Sequence, residues 1–145
     1  MELSAVQRLA VLAVFLPKES DVGCLLQALT LARKDQHYIK ILYRLSGLYR
    51  NNITPKAKDI LRFLEISTAF HHEEIFYSLK KSLSLLREED SNSFSILDYD
   101  WNHILDALKK LPLKRQLVQL DALNRRQAVN TLRETAIVKI IESQN

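Results

Sequence analysis

The chain has 145 residues, a formal net charge of +4 and a single cysteine, Cys24. A chain of this length buries about two-thirds of the surface that it exposes when unfolded, so we expect one domain over residues 1–145 that needs no disulfide or structural metal. A lone cysteine excludes an internal disulfide and favours an intracellular protein, in the cytoplasm or the nucleus. The longest apolar run, residues 9–16, is too short to cross a bilayer, which predicts that the chain does not act at a membrane.

The charge changes sign twice along the chain. Residues 1–65 carry ten basic and six acidic side chains, residues 66–100 carry three and seven, and residues 101–145 carry eight and four. Proteins that bind nucleic acid usually concentrate their lysines and arginines on one face. A field of mixed sign therefore makes nucleic-acid binding the weaker of two functional hypotheses.

The composition predicts an all-α fold of six or seven antiparallel helices, because two glycines and three prolines leave few residues for hairpin turns. Ser4 and Gln7 form a capping-box pattern that opens the first helix, and Pro17 closes it. The next four helices are expected from a cap at Ser20 or Asp21 to Lys34, over residues 36–50, from a cap at Thr54 with Pro55 in the first turn, and over residues 69–87.

The acidic segment 88–100 is predicted to be irregular, since its serines, asparagine and acids compete with helical hydrogen bonds. We expect it to form a mobile loop that presents Phe94, Ile96 and Leu97 and can dock on a basic surface. A cap at Asp98 or Asp100 begins the next helix, Pro112 begins a short one, and Asn124 begins a final helix that runs to about Ile141.

The stretch "VGCLLQALTLARKDQHYIKILYRLSGL" resembles one helix pair of an armadillo or HEAT type repeat. The resemblance covers about thirty residues and rests on the spacing of the leucines. It implies a short array of stacked helix pairs. A compact helical bundle is the alternative.

The motif "FHHEEIF" raises the question of a metal site. On a helix His71 and His72 point about 100° apart, so they cannot both reach one ion, and Glu73 and Glu74 suit a helix start because of the helix dipole. We predict no metal site here and no cofactor elsewhere. The chain also lacks a glycine-rich phosphate loop and a cysteine–histidine pair, so it is predicted not to be an enzyme, with Cys24 packed as a small buried hydrophobe.

Two basic stretches are candidate binding surfaces. On the third predicted helix, Lys40, Tyr43 and Arg50 fall opposite the apolar stripe, where an exposed tyrosine between cations can anchor a partner. Near the C-terminus, "LPLKRQLVQLDALNRRQAVNTLRE" fits a helix-turn-helix in which Arg125, Arg126 and Gln127 contact bases.

The two end helices motivate the main functional hypothesis. The first is apolar nearly all round, and the last ends in "AIVKII", so both present more apolar surface than a lone small domain usually exposes. We expect a protein partner, or a second copy, to cover them through Leu12, Phe15, Ile137 and Ile141. The sequence thus predicts a protein–protein interaction module, a scaffold or adaptor subunit, and nucleic-acid association through the basic segments is the alternative.

Overall fold

A computed structural model describes residues 3–87, 92–113 and 121–144, and within them it is helical and has no strand. This confirms the predicted all-α class. Seven α-helices follow in chain order: α1 Ala5–Ala13, α2 Glu19–Ala28, α3 Arg33–Tyr49, α4 Ala57–Ile66, α5 Glu73–Leu85, α6 Trp101–Lys109 and α7 Ala122–Gln144. A short 3₁₀ helix, Ser95–Asp98, precedes α6.

The caps predicted at the starts of α1 and α6 are both present. The amide of Gln7 donates to the Ser4 hydroxyl (3.1 Å), and the amide of Ser4 donates to the Gln7 side chain (2.9 Å). At α6 the Asp100 carboxylate accepts from the amide of His103 (3.2 Å). Each cap satisfies amide groups that a helix start leaves without a partner.

Other helix starts differ from the sequence-based expectation. At α2 the Asp21 carboxylate accepts from the amide of Lys18 (3.2 Å), and at α4 the Asp59 carboxylate accepts from the amide of Lys56 (2.9 Å). In both helices an acid in the first turn therefore does the capping, and Pro55 lies before α4 and outside its first turn. At α7 the cap comes from the residue before the helix: the Asp121 carboxylate accepts from the amide of Asn124 (2.8 Å), and the helix begins at Ala122.

Two helix boundaries shift at residues with left-handed backbone conformation. Thr30 has φ 48°, so α2 ends at Ala28 and does not continue to Lys34. Thr68 has φ 59°, and α5 begins at Glu73, four residues later than residue 69. Left-handed conformations usually belong to glycine, yet Gly23 and Gly47 lie inside α2 and α3, with negative φ and open space where a Cβ would stand.

The chain divides into two compact units, Met1–Thr54 with Phe63–Asp98, and Pro55–Arg62 with Tyr99–Asn145. In the first unit α1 packs against α3 and α5, α3 packs against α5, and α2 packs against α3. The expectation of one domain stays a prediction, because compactness does not measure whether either unit folds alone.

The core of the first unit contains a chain of aromatic rings. Phe63 packs edge to face against Tyr49 (5.1 Å between centroids) and against Phe76 (5.9 Å), a geometry that favours aromatic pairs beyond their buried area. Phe94 and Ile96 are also fully buried. The expectation that these two side chains are presented to a basic surface is therefore wrong, because both pack in the core, while Leu97 is half-buried. Residues 88–91 of the predicted loop lie outside the described residues.

The second unit contains residues 55–62, α6 and α7. The buried face of α6 carries Trp101, Ile104, Leu105 and Leu108, and α7 contacts α6. The Tyr99 hydroxyl donates to the carbonyl of Pro55 (3.2 Å), which ties the segment before α6 to the segment before α4.

Candidate functional site

The exposed end of α1 carries two of the side chains predicted to contact a partner, Leu12 and Phe15. Ala10 and Ala13 face the core of the first unit, whereas Leu12 and Phe15 leave 66% and 69% of their surface in contact with solvent. The amide of Phe15 donates to the carbonyl of Leu12 (3.2 Å), so both side chains belong to the same closing turn. We call Leu12 and Phe15 the apolar end of α1.

The two anchors predicted on the last helix are placed differently. Ile137 is fully buried and Ile141 is half-buried. The expectation that Ile137 is exposed is wrong, because α7 packs on α6 and takes this side chain into the core of the second unit. The large apolar side chains that α7 exposes are instead Leu123 (68%) and Val138 (39%).

Lys40, Tyr43 and Arg50 do not form one exposed surface. Lys40 is exposed, but Tyr43 is half-buried and its hydroxyl donates to the carbonyl of Leu16 (3.1 Å). Arg50 is half-buried, with its guanidinium 5.8 Å from the ring centroid of Phe94. Tyr43 and Arg50 are therefore held by contacts inside the first unit, and only Lys40 of the three points freely into solvent.

Arg125, Arg126 and Gln127 are exposed in the first turns of α7. This placement makes them accessible, as the nucleic-acid hypothesis requires. The short helix and turn that would precede them in a helix-turn-helix include residues 114–120, which lie outside the described residues.

The histidine pair lies before and not within α5. His71 and His72 are exposed, and the His72 Nδ1 atom is 3.6 Å from the Glu74 carboxylate. Within the described ranges no three histidine, cysteine, aspartate or glutamate side chains are grouped so that they could hold a metal ion. Cys24, expected to be buried, is exposed on α2, where Val22 and Leu26 form the buried face instead.

A cavity of about 270 Å³ lies where the starts of α1, α3 and α5 meet. Its apolar wall is formed by Val6, Ile41 and Ile75. One side carries a hydrogen-bonded network that could not be predicted from local sequence patterns, because its members are far apart in the chain. The Ser78 hydroxyl accepts from the side-chain Nε2 of Gln7 (2.9 Å) and is hydrogen-bonded to the Tyr38 hydroxyl (2.9 Å), which is also hydrogen-bonded to the buried Ser82 hydroxyl (2.8 Å).

Three of the described titratable groups have shifted pKa values: Arg87 and Asp98 in the first unit and Tyr99 in the second. The two terminal nitrogens of the Arg87 guanidinium, Nη1 and Nη2, donate to the Asp98 carboxylate at 2.6 Å. These hydrogen bonds lower the pKa of Asp98 and raise the pKa of Arg87. Burial, with a smaller effect of the Asp59 charge, raises the pKa of Tyr99. None of the three groups lines the cavity.

The described helices include none that is both long and apolar enough to span a membrane. Comparison with protein-family models, with curated proteins and with solved structures finds no match to this chain.

Proposed function

We propose that this chain is a non-enzymatic, α-helical protein–protein interaction module, a scaffold or adaptor subunit that works inside the cell. The apolar end of α1 is the observation that carries the proposal. Two large apolar side chains in one turn, each about two-thirds exposed, are the kind of adjacent anchors that fill pockets of a partner. Covering them would remove this apolar area from water, which is the main favourable term in protein association.

The packing of α2 against α3 is compatible with the proposed helix pair of an armadillo or HEAT type array. In such arrays function lies in exposed helix faces and helix ends, because each pair buries its inner face against its neighbours. The end of α1 belongs to this class of surface. We propose a protein partner, or a second copy of the chain, as its occupant.

Sedimentation velocity at tens of micromolar tests self-association first. In the variant Leu12→Asp/Phe15→Asp both exposed anchors become charged, so we expect a wild-type dimer to become a monomer while the helical circular dichroism is unchanged. Leu123→Asp is the matched control, since Leu123 is equally exposed but lies on α7 in the other unit. It should leave the sedimentation coefficient unchanged.

If the wild-type chain is monomeric, isolation of tagged wild-type and variant chains from cells tests a different partner. The proposal requires at least one protein that the wild-type chain and Leu123→Asp retain and that Leu12→Asp/Phe15→Asp loses. A monomer whose bound proteins are identical for all three chains would refute it.

Nucleic-acid association is the second candidate, and the exposure of Arg125, Arg126 and Gln127 favours it. Arginine and glutamine are the side chains that most often contact guanine and adenine edges. The variant Arg125→Gln/Arg126→Gln should then weaken binding to a labelled DNA duplex, and its affinity should depend less on salt than that of the wild type.

A further inference from the structure

The solvent face of α3 carries only basic side chains along two-thirds of the helix. Between residues 33 and 44 the exposed positions are Arg33, Lys34, His37, Lys40 and Arg44. No exposed apolar, acidic or neutral side chain interrupts them. We call these five residues the basic face of α3.

Helical geometry places four of the five in one row. Arg33, His37, Lys40 and Arg44 are spaced four, three and four residues apart, so they project within a narrow arc of the helix, and Lys34 flanks them. The row extends about 16 Å along the axis at 1.5 Å per residue. The buried side chains on the opposite side, such as Leu42 and Leu45, fix this orientation because they pack in the core of the first unit.

The charges of the basic face are not neutralised by the surrounding described residues. None of the five side chains has an ion-pair partner there. Two acids share cavity linings with members of this face without forming an ion pair with them: Asp35, half-buried on the same helix, with Lys34 and His37, and Glu19 with Lys40. The face therefore keeps a net positive charge and can attract an anionic partner.

We infer that the basic face of α3 binds the phosphate backbone of a nucleic acid without reading its sequence. Phosphate contacts are made by lysine and arginine rows and need no apolar anchor, whereas protein interfaces usually centre on apolar or aromatic side chains. The basic face has no such side chain, since the hydroxyls of Tyr38 and Tyr43 bond inside the unit and both rings are half-buried. The basic face of α3 exposes no phenylalanine, tyrosine or tryptophan ring, which argues against base stacking as its mode of binding.

This inference is independent of the apolar end of α1 and of the arginines on α7, because it concerns a different face of a different helix. The second candidate function relies on contacts to base edges, whereas this inference relies on contacts to phosphate. Contacts to phosphate give an affinity that is similar for all sequences and that falls steeply with salt.

Fluorescence anisotropy with a labelled DNA duplex of mixed sequence tests the inference on the full chain. The face has four lysines and arginines. If each of them contacts one phosphate, the dissociation constant should rise about a hundredfold between 50 and 200 mM salt. In Arg33→Gln/Lys34→Gln/Lys40→Gln/Arg44→Gln, the slope of log affinity against log salt should become less steep by about 3 to 4. All four side chains are exposed, so circular dichroism and thermal unfolding should match those of the wild type.

A matched control removes the same charge from other exposed positions: Lys18→Gln, Lys56→Gln, Lys58→Gln and Arg62→Gln. It should keep the wild-type slope. Equal losses in the two quadruple variants would overturn the inference, since net charge alone would then explain binding. Loss confined to Arg125→Gln/Arg126→Gln would overturn it too, in favour of α7.

Competition distinguishes nucleic acid from an acidic protein. Unlabelled duplex of unrelated sequence should displace the probe fully, and polyglutamate at the same concentration of negative charge should displace it at least tenfold less effectively. Equal competition by polyglutamate, or an affinity of the wild-type chain that does not respond to salt, would refute phosphate binding by this face.

Discussion

Arg50 and Phe94 are joined by two contacts, one through the backbone and one through the side chains. The amide of Phe94 donates to the carbonyl of Arg50 (3.1 Å), and the Arg50 guanidinium lies 5.8 Å from the centre of the Phe94 ring. Arg50, the first residue after α3, is thereby hydrogen-bonded to the segment that precedes α6 in the chain. An arginine expected on a binding surface instead covers a core phenylalanine, as cation–π pairs do when partly desolvated.

The first prediction concerns Phe94, which is fully buried. Phe94→Ala should lower the free energy of unfolding by about 3–5 kcal/mol, because it removes a core ring and leaves a cavity. Urea denaturation followed by circular dichroism measures this. Ile53→Ala is the control, since Ile53 is 61% exposed and its truncation should cost at most about 0.5 kcal/mol. Similar values for the two variants would show that Phe94 is not in the core.

The second prediction concerns the hydroxyl network of Tyr38 and Ser82. Tyr38→Phe should lower the free energy of unfolding by about 1–2 kcal/mol, because it leaves the buried Ser82 hydroxyl without this partner. Adding Ser82→Ala should cost less than it does in the wild type, with a coupling energy of about 0.5–1.5 kcal/mol. Tyr43→Phe with Ser82→Ala is the control pair and should be additive, since Tyr43 bonds Leu16 instead. Additive energies for Tyr38 and Ser82 would contradict the network.

The third prediction concerns the pH dependence of Asp98. Its pKa lies below the ordinary value of 3.8 in the folded chain, because Arg87 donates two hydrogen bonds to the ionised carboxylate. The pair therefore stabilises the fold above pH 3.8, and this contribution is lost as the pH falls through the lowered pKa. Carbon-13 NMR titration of the Asp98 carboxyl should give a midpoint below 3.8, and Arg87→Gln should raise it. An unchanged midpoint in Arg87→Gln would rule out Arg87 as the cause.

The fourth prediction concerns Tyr99, whose pKa is raised above its ordinary value of 10.0, first by burial and then by the charge of Asp59. The folded chain thus holds the phenol proton more tightly than the unfolded chain. Stability should be complete below pH 10.0 and should decline as the pH rises from there through the raised pKa. Ultraviolet titration of the wild type against Tyr99→Phe isolates this phenol. Asp59→Asn should lower its midpoint only in part, because burial remains, and a fall to 10.0 would assign the whole shift to Asp59.

Local signals predicted the fold class and two helix caps, because these depend on residues within one turn. Ser4 with Gln7 and Asp100 at α6 needed no knowledge of the rest of the chain. The predictions that were wrong depended on contacts between residues far apart in the chain. Tyr43 was expected to face solvent, but Leu16, 27 residues earlier, offers its hydroxyl an acceptor. Periodicity alone also could not tell that α2 buries Val22 and Leu26 and leaves Cys24 outside.

The candidate site could be predicted only in part for the same reason. Leu12 and Phe15 were identified correctly as exposed, because α1 has more apolar residues than one buried face can hold. Ile137 was not, since nothing in "AIVKII" tells which of its apolar residues face α6. The basic row of α3 was hidden in the sequence, because Tyr43 and the inner apolar residues separate its members.

The positions of the two glycines and of the residues with positive φ determine which substitutions could stabilise this fold. The two glycines occupy helical positions that any residue could adopt, while Thr30, Thr68 and Phe94 adopt the conformation that glycine adopts most easily. The turns after α2 and α4 are thus imposed by tertiary packing against the preference of their own residues. Replacing Gly23 or Gly47 with alanine, and Thr30 or Thr68 with glycine, could therefore raise the free energy of unfolding while every core side chain is kept.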